Sequence, residues 1–275
     1  MNFGPAIKLG VVTDERTKEL SGLADAGPCL LIIRDSGNPS SLFGLNHDGT
    51  VRDEWPLIDS ATNEPAKNND WEDMAVGPGP VPGSRYVYIA EHSAIAWRCL
   101  MPDVRKPGCI TPAQKLNFTL APEDAQTNSE TLMIDQTTGD LFKIPRGPDG
   151  SSTHKVLWIP DVKLKTSGQF QAIGTIGGFD PSMTVTAGDI SRDGKMIALL
   201  QHQSIHVWVV PDGKSVKDTL VSQPATLVVP FNVESLGEAL CFGWYRKPGD
   251  TGPWHDGIFC KSEKIGGGLW WFPRI

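Results

Sequence analysis

The sequence predicts an all-β fold, a five-bladed β-propeller with four antiparallel strands per blade. Three observations predict it. Short apolar runs separated by turn signals fill the 275 residues, and no stretch of fifteen free of Gly and Pro carries a helical period. One small motif recurs five times at near-equal spacing. The last repeat ends one strand short, while an unassigned strand stands at the N-terminus.

That N-terminal strand is Ala6–Thr13, an apolar alternation. Asp14–Leu20 follows as the one weak helical candidate. The motif then begins: a polar or acidic residue, alternating apolar residues, and a Gly/Asp/Pro turn. It starts at Ser21, Glu72, Glu130, Thr186 and Glu238, with steps of 51, 58, 56 and 52 residues, and 58 from Glu238 around the termini to Ser21. A period near 55 residues holds four strands and their turns. Blade one runs from Ser21 through Leu30–Arg34, Leu42–Leu45 and Trp55–Ile58. The later blades take the runs Arg85–Ala90, Lys155–Ile159, Met196–Leu200, Ser204–Val210, Ala225–Pro230 and Gly257–Lys261. Leu269–Pro273 is the third strand of blade five, after which the chain ends. Ala6–Thr13 supplies the missing outer strand, so the ring closes and a sheet edge is covered. One domain, 1–275, results. Trp158, Trp208 and Trp270 all fall in third strands, which marks them as packing between blades, whereas Trp71 and Trp254 are free to line a mouth.

Composition narrows the function. Net charge is −7, from 25 basic and 32 acidic residues, which argues against a nucleic-acid partner and permits cation binding. The longest apolar runs, such as Cys29–Ile33, are far too short to span a bilayer, so no membrane partner is expected. The expected partner is a small molecule and the expected state a monomer. Five Cys is an odd number, without CxxC pairs or zinc spacing. Cys29 and Cys99 sit inside alternating strands and are expected buried and reduced. Cys241 and Cys260 fall on neighbouring strands, and the sequence leaves open whether they are bridged. No leader follows Met1: the chain is either cytosolic or, on the favoured reading, secreted or periplasmic with its leader removed.

At these residues the chain resembles the SdiA-regulated type of five-bladed propeller and the related bacterial esterase-like propellers. The resemblance lies in Glu19–Leu23 (Glu-Leu-Ser-Gly-Leu), Asp35–Asn38 (Asp-Ser-Gly-Asn), Asp70–Ala75 (Asp-Trp-Glu-Asp-Met-Ala), Glu130–Leu132, Thr186–Ser191 with Arg192–Gly194, and Glu238–Leu240. Relatives often carry Asp-Ile-Gly-Asp-Asn after the second strand of blade two, where this chain has Ala90–Ser93 (Ala-Glu-His-Ser). The resemblance implies the fold, a divalent ion in the channel and a hydrolase.

In an antiparallel blade the start of strand one and the end of strand two share a face of the disc. The starts bring Glu72, Glu130 and Glu238 together, with Ser21 and Thr186 in the other two blades. The strand-two ends add Asp35, Glu91, Lys143, His202 and Glu263. Three converging glutamates must protonate or hold a cation. Oxygen ligands suit Ca²⁺ first, and Mg²⁺ or Mn²⁺ second. The metal set is therefore Glu72, Glu130 and Glu238. His92, His202 and Glu91 are the candidate catalytic groups, a His beside a metal-bound water being able to act as general base. Lys143 is placed to pair with the glutamates or an anionic substrate. Asp70 and Asp73 are expected to point away or cap turns, and Asp35 to shape an Asx turn. Ile265–Leu269 is a glycine-rich β2–β3 connection. The function expected is a Ca²⁺-binding propeller that hydrolyses a small ester, lactone or phosphoester. The alternative is a non-catalytic propeller with a structural ion, binding a glycan or other ligand.

Overall fold

A computed structural model describes residues 2–125, 128–146, 151–234, 237–264 and 266–275. The expected turn at 148–150 and Ile265 of the glycine-rich connection lie outside the described residues. The chain folds as successive antiparallel meanders. The first is β2 (Leu20–Asp25), β3 (Leu30–Arg34), β4 (Ser41–Leu45) and β5 (Val51–Asp59), preceded by β1 (Ile7–Val11). Next come β6 (Trp71–Pro78), β7 (Arg85–Glu91), β8 (Ala96–Leu100) and β9 (Thr111–Thr119). Then follow β10 (Met133–Ile134), β11 (Leu141–Lys143), β12 (Thr153–Ile159), the short β13 (Ser167–Gln169) and β14 (Gln171–Gly177). After these stand β15 (Val185–Ile190), β16 (Met196–Gln201), β17 (Ser204–Val209), α1 (Val216–Ser222) and β18 (Leu227–Pro230). The last meander is β19 (Gly237–Tyr245), β20 (His255–Ser262) and β21 (Gly268–Pro273). β1 completes it by pairing antiparallel with β21, Ile7 opposite Trp271 and Val11 opposite Gly268. The two ends of the chain are thereby held in one sheet.

Among the described residues four sheets result, because the first two meanders share one nine-stranded sheet. Their outer strands β5 and β9 pair in parallel, Leu57 with Thr111 through Asp59 with Ala113, and β13 pairs with the far end of β9. The outer edge of β9 is thus covered along both halves, which removes an exposed template for strand addition. This lateral pairing was not expected from the sequence. Nor was α1, a helix of two turns whose N-cap Ser215 accepts from the Asp218 N–H. The helical candidate Asp14–Leu20 forms only a 3-10 turn, Glu15–Thr17, capped by the Asp14 carboxylate.

The first strands β2, β6, β10, β15 and β19 pack on one another in turn, and β19 returns to β2. Glycine permits the close approach: a Cβ at Gly22 would meet the Met74 backbone N at 2.9 Å, and one at Gly188 would meet Leu199 at 2.7 Å and Met133 at 3.0 Å. Between neighbouring meanders lie apolar clusters, for example Leu31, Trp55 and Trp71 with Ile89, and Leu240 and Cys260 with Val207 and Phe231. Cys29 and Cys99 are buried and free as expected, and burial pushes their thiols up to about 11 and about 12. Cys241 and Cys260 are also free. The register sets Cys260 opposite Leu240, so the two thiols leave opposite faces of the sheet for different clusters. Among the described residues no helix is long and apolar enough to cross a membrane.

Candidate functional site

Each first strand carries an extra residue near its start. In β2 the register jumps from Leu20–Arg34 to Gly22–Ile33, leaving out Ser21. In β6 it leaves out Glu72, in β15 Thr186 and in β19 Glu238. Between the Ser129–Pro145 bridge and the Met133–Phe142 pair the strand takes four steps to its partner's three, so Glu130 lies in the same kind of irregularity. A β-bulge re-aims a side chain out of the pleat and recurs beside functional sites. Four of the motif starts are therefore bulges and Glu130 lies in a comparable irregularity ahead of β10, all at one end of the first strands.

The two hydroxyl bulges tie neighbours together: Ser21 Oγ donates to Glu72 O, and Thr186 Oγ1 to Gly237 O. The charges of the three glutamates reach one another. Burial pushes Glu72 and Glu238 up to about 8, and the charge of Glu130 adds to both. Glu130 is also raised, by burial first, against the pull of Arg146. Arg146 forms an ion pair with Glu130, and its charge reaches Glu72 and Glu238 as well. A guanidinium therefore stands among the carboxylates of the expected three-glutamate cation site. Glu130 Oε2 is buried without a partner, and Glu238 faces His202, with Oε1 3.7 Å from Nδ1.

The grouping with metal-ligand spacing is a different one. Asp70, Glu72 and His92 each offer a ligand atom, and these atoms all lie within 4.8 Å of one another. His92 Nδ1 is 2.7 Å from Asp70 Oδ2, while His92 Nε2 is buried with no partner. The Glu72 carboxylate makes no hydrogen bond or ion pair among the described residues. Asp35 stands beside Asp70, and its carboxyl is raised by burial and then by that neighbour. Two carboxylates and an imidazole fit a divalent ion that accepts nitrogen, such as Mn²⁺ or Zn²⁺, better than Ca²⁺, which takes six to eight oxygens. Asp70 and His92 also border an open cleft of about 520 Å³ walled by Phe118, Leu120 and Asn128.

The remaining expected residues are structural. Glu91 is buried and accepts from Asn69 Nδ2 at 3.1 Å and Trp97 Nε1 at 2.9 Å, so it is engaged and is no free base. Lys143 is buried and donates to Glu91 O and Ser93 O, so it pins two meanders, and the charge of Glu72 reaches it. Asp73 is fully buried and accepts from the N–H groups of Met74, Leu132 and Gly188. The sequence reading missed Asp70 and Arg146. Asp70 had a signal, two positions before a motif start in an Asn-Asn-Asp turn. Arg146 sits just past the Pro145 bridge, three residues beyond the lysine chosen for that corner.

No family model matches the chain, and no curated protein matches it, so the resemblance to SdiA-regulated and esterase-like propellers gains no family support. Among solved structures it is similar to the β-propeller domain of Myceliophteria thermophila Cps50 (Swd1), at 11% identity and a TM-score of 0.42, covering 90% of this chain and 71% of that one. It is also similar to a family AA12 carbohydrate-active enzyme of Trichoderma reesei, at 9% identity and a TM-score of 0.49, covering 98% and 95%. A chain of a mitotic checkpoint complex matches at 12% identity and a TM-score of 0.38, covering 97% and 68%. Likenesses this distant transfer no ligand or activity. The β-propeller stands on the sheets themselves, meanders packed by their first strands about a common axis.

Proposed function

We propose that the protein is a five-bladed β-propeller that binds a divalent cation at the bulge-lined mouth of its channel through Asp70, Glu72 and His92. The blade count is supported by the closed succession β2, β6, β10, β15, β19 and by β1 completing the last meander. The observation that carries the cation is Glu72: a partly buried carboxylate without a partner, beside Asp70 and His92 at ligand spacing. Such a group must take up a proton or a cation. The adjoining cleft leaves room for a small ligand to reach a bound ion. Hydrolysis of a small ester, lactone or phosphoester is the activity this arrangement supports, with His202 as the base left outside the ligand set.

Metal-free protein should gain melting temperature with Mn²⁺ or Zn²⁺, lose it with chelator, and give one site per chain by calorimetric titration. Glu72→Gln should abolish the response, while Glu130→Gln should keep it. A melting curve indifferent to all divalent ions would overturn the site. A response lost in Glu130→Gln but kept in Glu72→Gln would return it to the three-glutamate set. The non-catalytic reading is favoured by the Arg146–Glu130 pair, which gives the acids a permanent countercharge. A panel of model esters, lactones and phosphoesters, run with and without chelator, decides between the two.

A further inference from the structure

At the opposite end of the first strands from the mouth lies a second cavity, of about 360 Å³, beyond Asp73, which reaches from β6 to the Gly188 N–H of β15. Its volume is at the lower end of the range for small-ligand pockets. One wall is apolar and aromatic: Val76, Met196, Phe242 and a half-exposed Trp244. Charged residues also line it: Asp25, Asp189, Asp193 and Asp256, with Arg85 and Arg192.

The acids are largely occupied. Both Asp189 oxygens accept backbone N–H groups, from Ile190 at 2.8 Å and Phe242 at 2.9 Å. Asp25 Oδ1 accepts from Gly27 N. Asp193 holds the Ser191 hydroxyl and Lys195 N, and Asp256 pairs with Arg274. The donors are not. Arg85 gives one N–H to Asp25 O, but its Nε is buried without an acceptor. Arg192 makes no side-chain hydrogen bond or ion pair among the described residues, and its charge is felt by Arg85 and by the Asp25 carboxylate, which also feels Arg85. An orphaned buried donor costs free energy until an acceptor arrives. Each guanidinium is a planar fork that matches a carboxylate, and two of them with open donors line this one cavity. The nearby Asp25 and Asp189 disfavour a ligand of higher negative charge.

We infer that this cavity is a binding site for a small monocarboxylic acid with an aromatic or branched apolar body. The carboxylate sits between Arg85 and Arg192, and the body lies against Trp244 and Phe242. The site is independent of the cation site at the other mouth.

Phenylacetate, titrated against the whole chain and followed by saturation-transfer NMR and calorimetry, tests it, with benzyl alcohol and phenethylamine as neutral and cationic comparators. Phenylacetate should bind at least about tenfold more tightly than either. Arg192→Ala should weaken phenylacetate about tenfold without lowering the melting temperature, since that side chain is exposed and unpartnered. Trp244→Ala should weaken every aryl probe, and Glu72→Gln should change none. Equal binding of the alcohol, preference for the amine, or no phenylacetate binding in the millimolar range would overturn the inference. So would loss of phenylacetate binding in Glu72→Gln or on adding chelator, which would place the anion at the mouth instead.

Discussion

Glu72 and Asp73 are adjacent acids on one strand, and they stand for two regions of the molecule. Glu72 is on the bulge, at the mouth, with no partner and a carboxyl pushed up to about 8. Asp73 is back in the pleat, fully buried, and accepts three backbone N–H groups, from Met74 beside it, from Leu132 just before β10 and from Gly188 of β15. Burial pushes the Asp73 carboxyl up while those N–H groups pull it down. Asp189 repeats its role one meander before the last, through Ile190 and Phe242. The middle of the channel thus uses carboxylates as cross-braces, and the mouth leaves them open. One extra residue in the strand makes the difference: it takes the side chain out of the pleat and away from the backbone N–H groups that Asp73 meets.

The largest expected effect breaks the brace. Asp73→Ala orphans the Leu132 and Gly188 N–H groups as well as that of Met74, at about 1–3 kcal/mol for each buried donor left unmet. A loss of about 4 kcal/mol, or roughly 10 °C in melting temperature, is expected in thermal and urea unfolding. Glu72→Gln removes no hydrogen bond and relieves like-charge repulsion, so it should leave stability unchanged or raised. Equal destabilisation by the two changes would erase the distinction between mouth and middle.

Much of this division was legible in the sequence. The recurring polar start marked the bulge positions, because a residue that leaves the pleat escapes the apolar alternation around it. The closing N-terminal strand followed from the same repeat. Asp73 and Asp70 were misjudged because a carboxylate that binds backbone across the channel and one that joins a cluster look alike three residues apart. The Arg85–Arg192 cavity was illegible for another reason. Its walls come from the far ends of β2, β6, β15 and β19 and from turns between strands, with no repeated motif to flag them. The β5–β9 pairing depends on how far two outer strands extend past their meanders, which alternation does not encode.

A pH series sharpens the comparison. Glu72 and Glu238 have folded values near 8 against an ordinary 4.5, raised by burial and then by Glu130. Between those limits the folded protein holds protons that the unfolded chain has released, so stability falls as pH rises. The melting temperature of metal-free protein should therefore decline from about pH 5 to 7.5, and the double variant Glu72→Gln/Glu238→Gln should decline less. Above pH 8 the buried Lys143 and Lys261, both depressed to about 8 by burial, contribute with the opposite sign. The diagnostic window thus lies below that. A divalent ion at the mouth competes with these protons, so its affinity should rise with pH over the same window. Identical slopes in parent and double variant would show that the mouth carboxylates are solvated and unstrained.

The smallest effect comes from the hydroxyl bulges, which share the position of Glu72 but the role of Asp73. Ser21 Oγ donates to Glu72 O at 2.6 Å and Thr186 Oγ1 to Gly237 O at 2.7 Å, each joining a first strand to the next. Thr186→Val keeps the shape and removes only the donor, leaving a carbonyl without that bond. Ser21→Ala does the same at a less buried place. A loss of about 1 kcal/mol is expected for each, or about 2–4 °C, with Thr186→Val the larger because that side chain is almost wholly buried. Neither should alter the response to Mn²⁺ or Zn²⁺, since neither hydroxyl faces the Asp70, Glu72 and His92 group. If Ser21→Ala costs no stability yet weakens the ion, then Glu72 is held in place by the Ser21 bond to its own carbonyl. Bulge and brace would then be one device, because the strand contact that closes the ring would also aim the carboxylate.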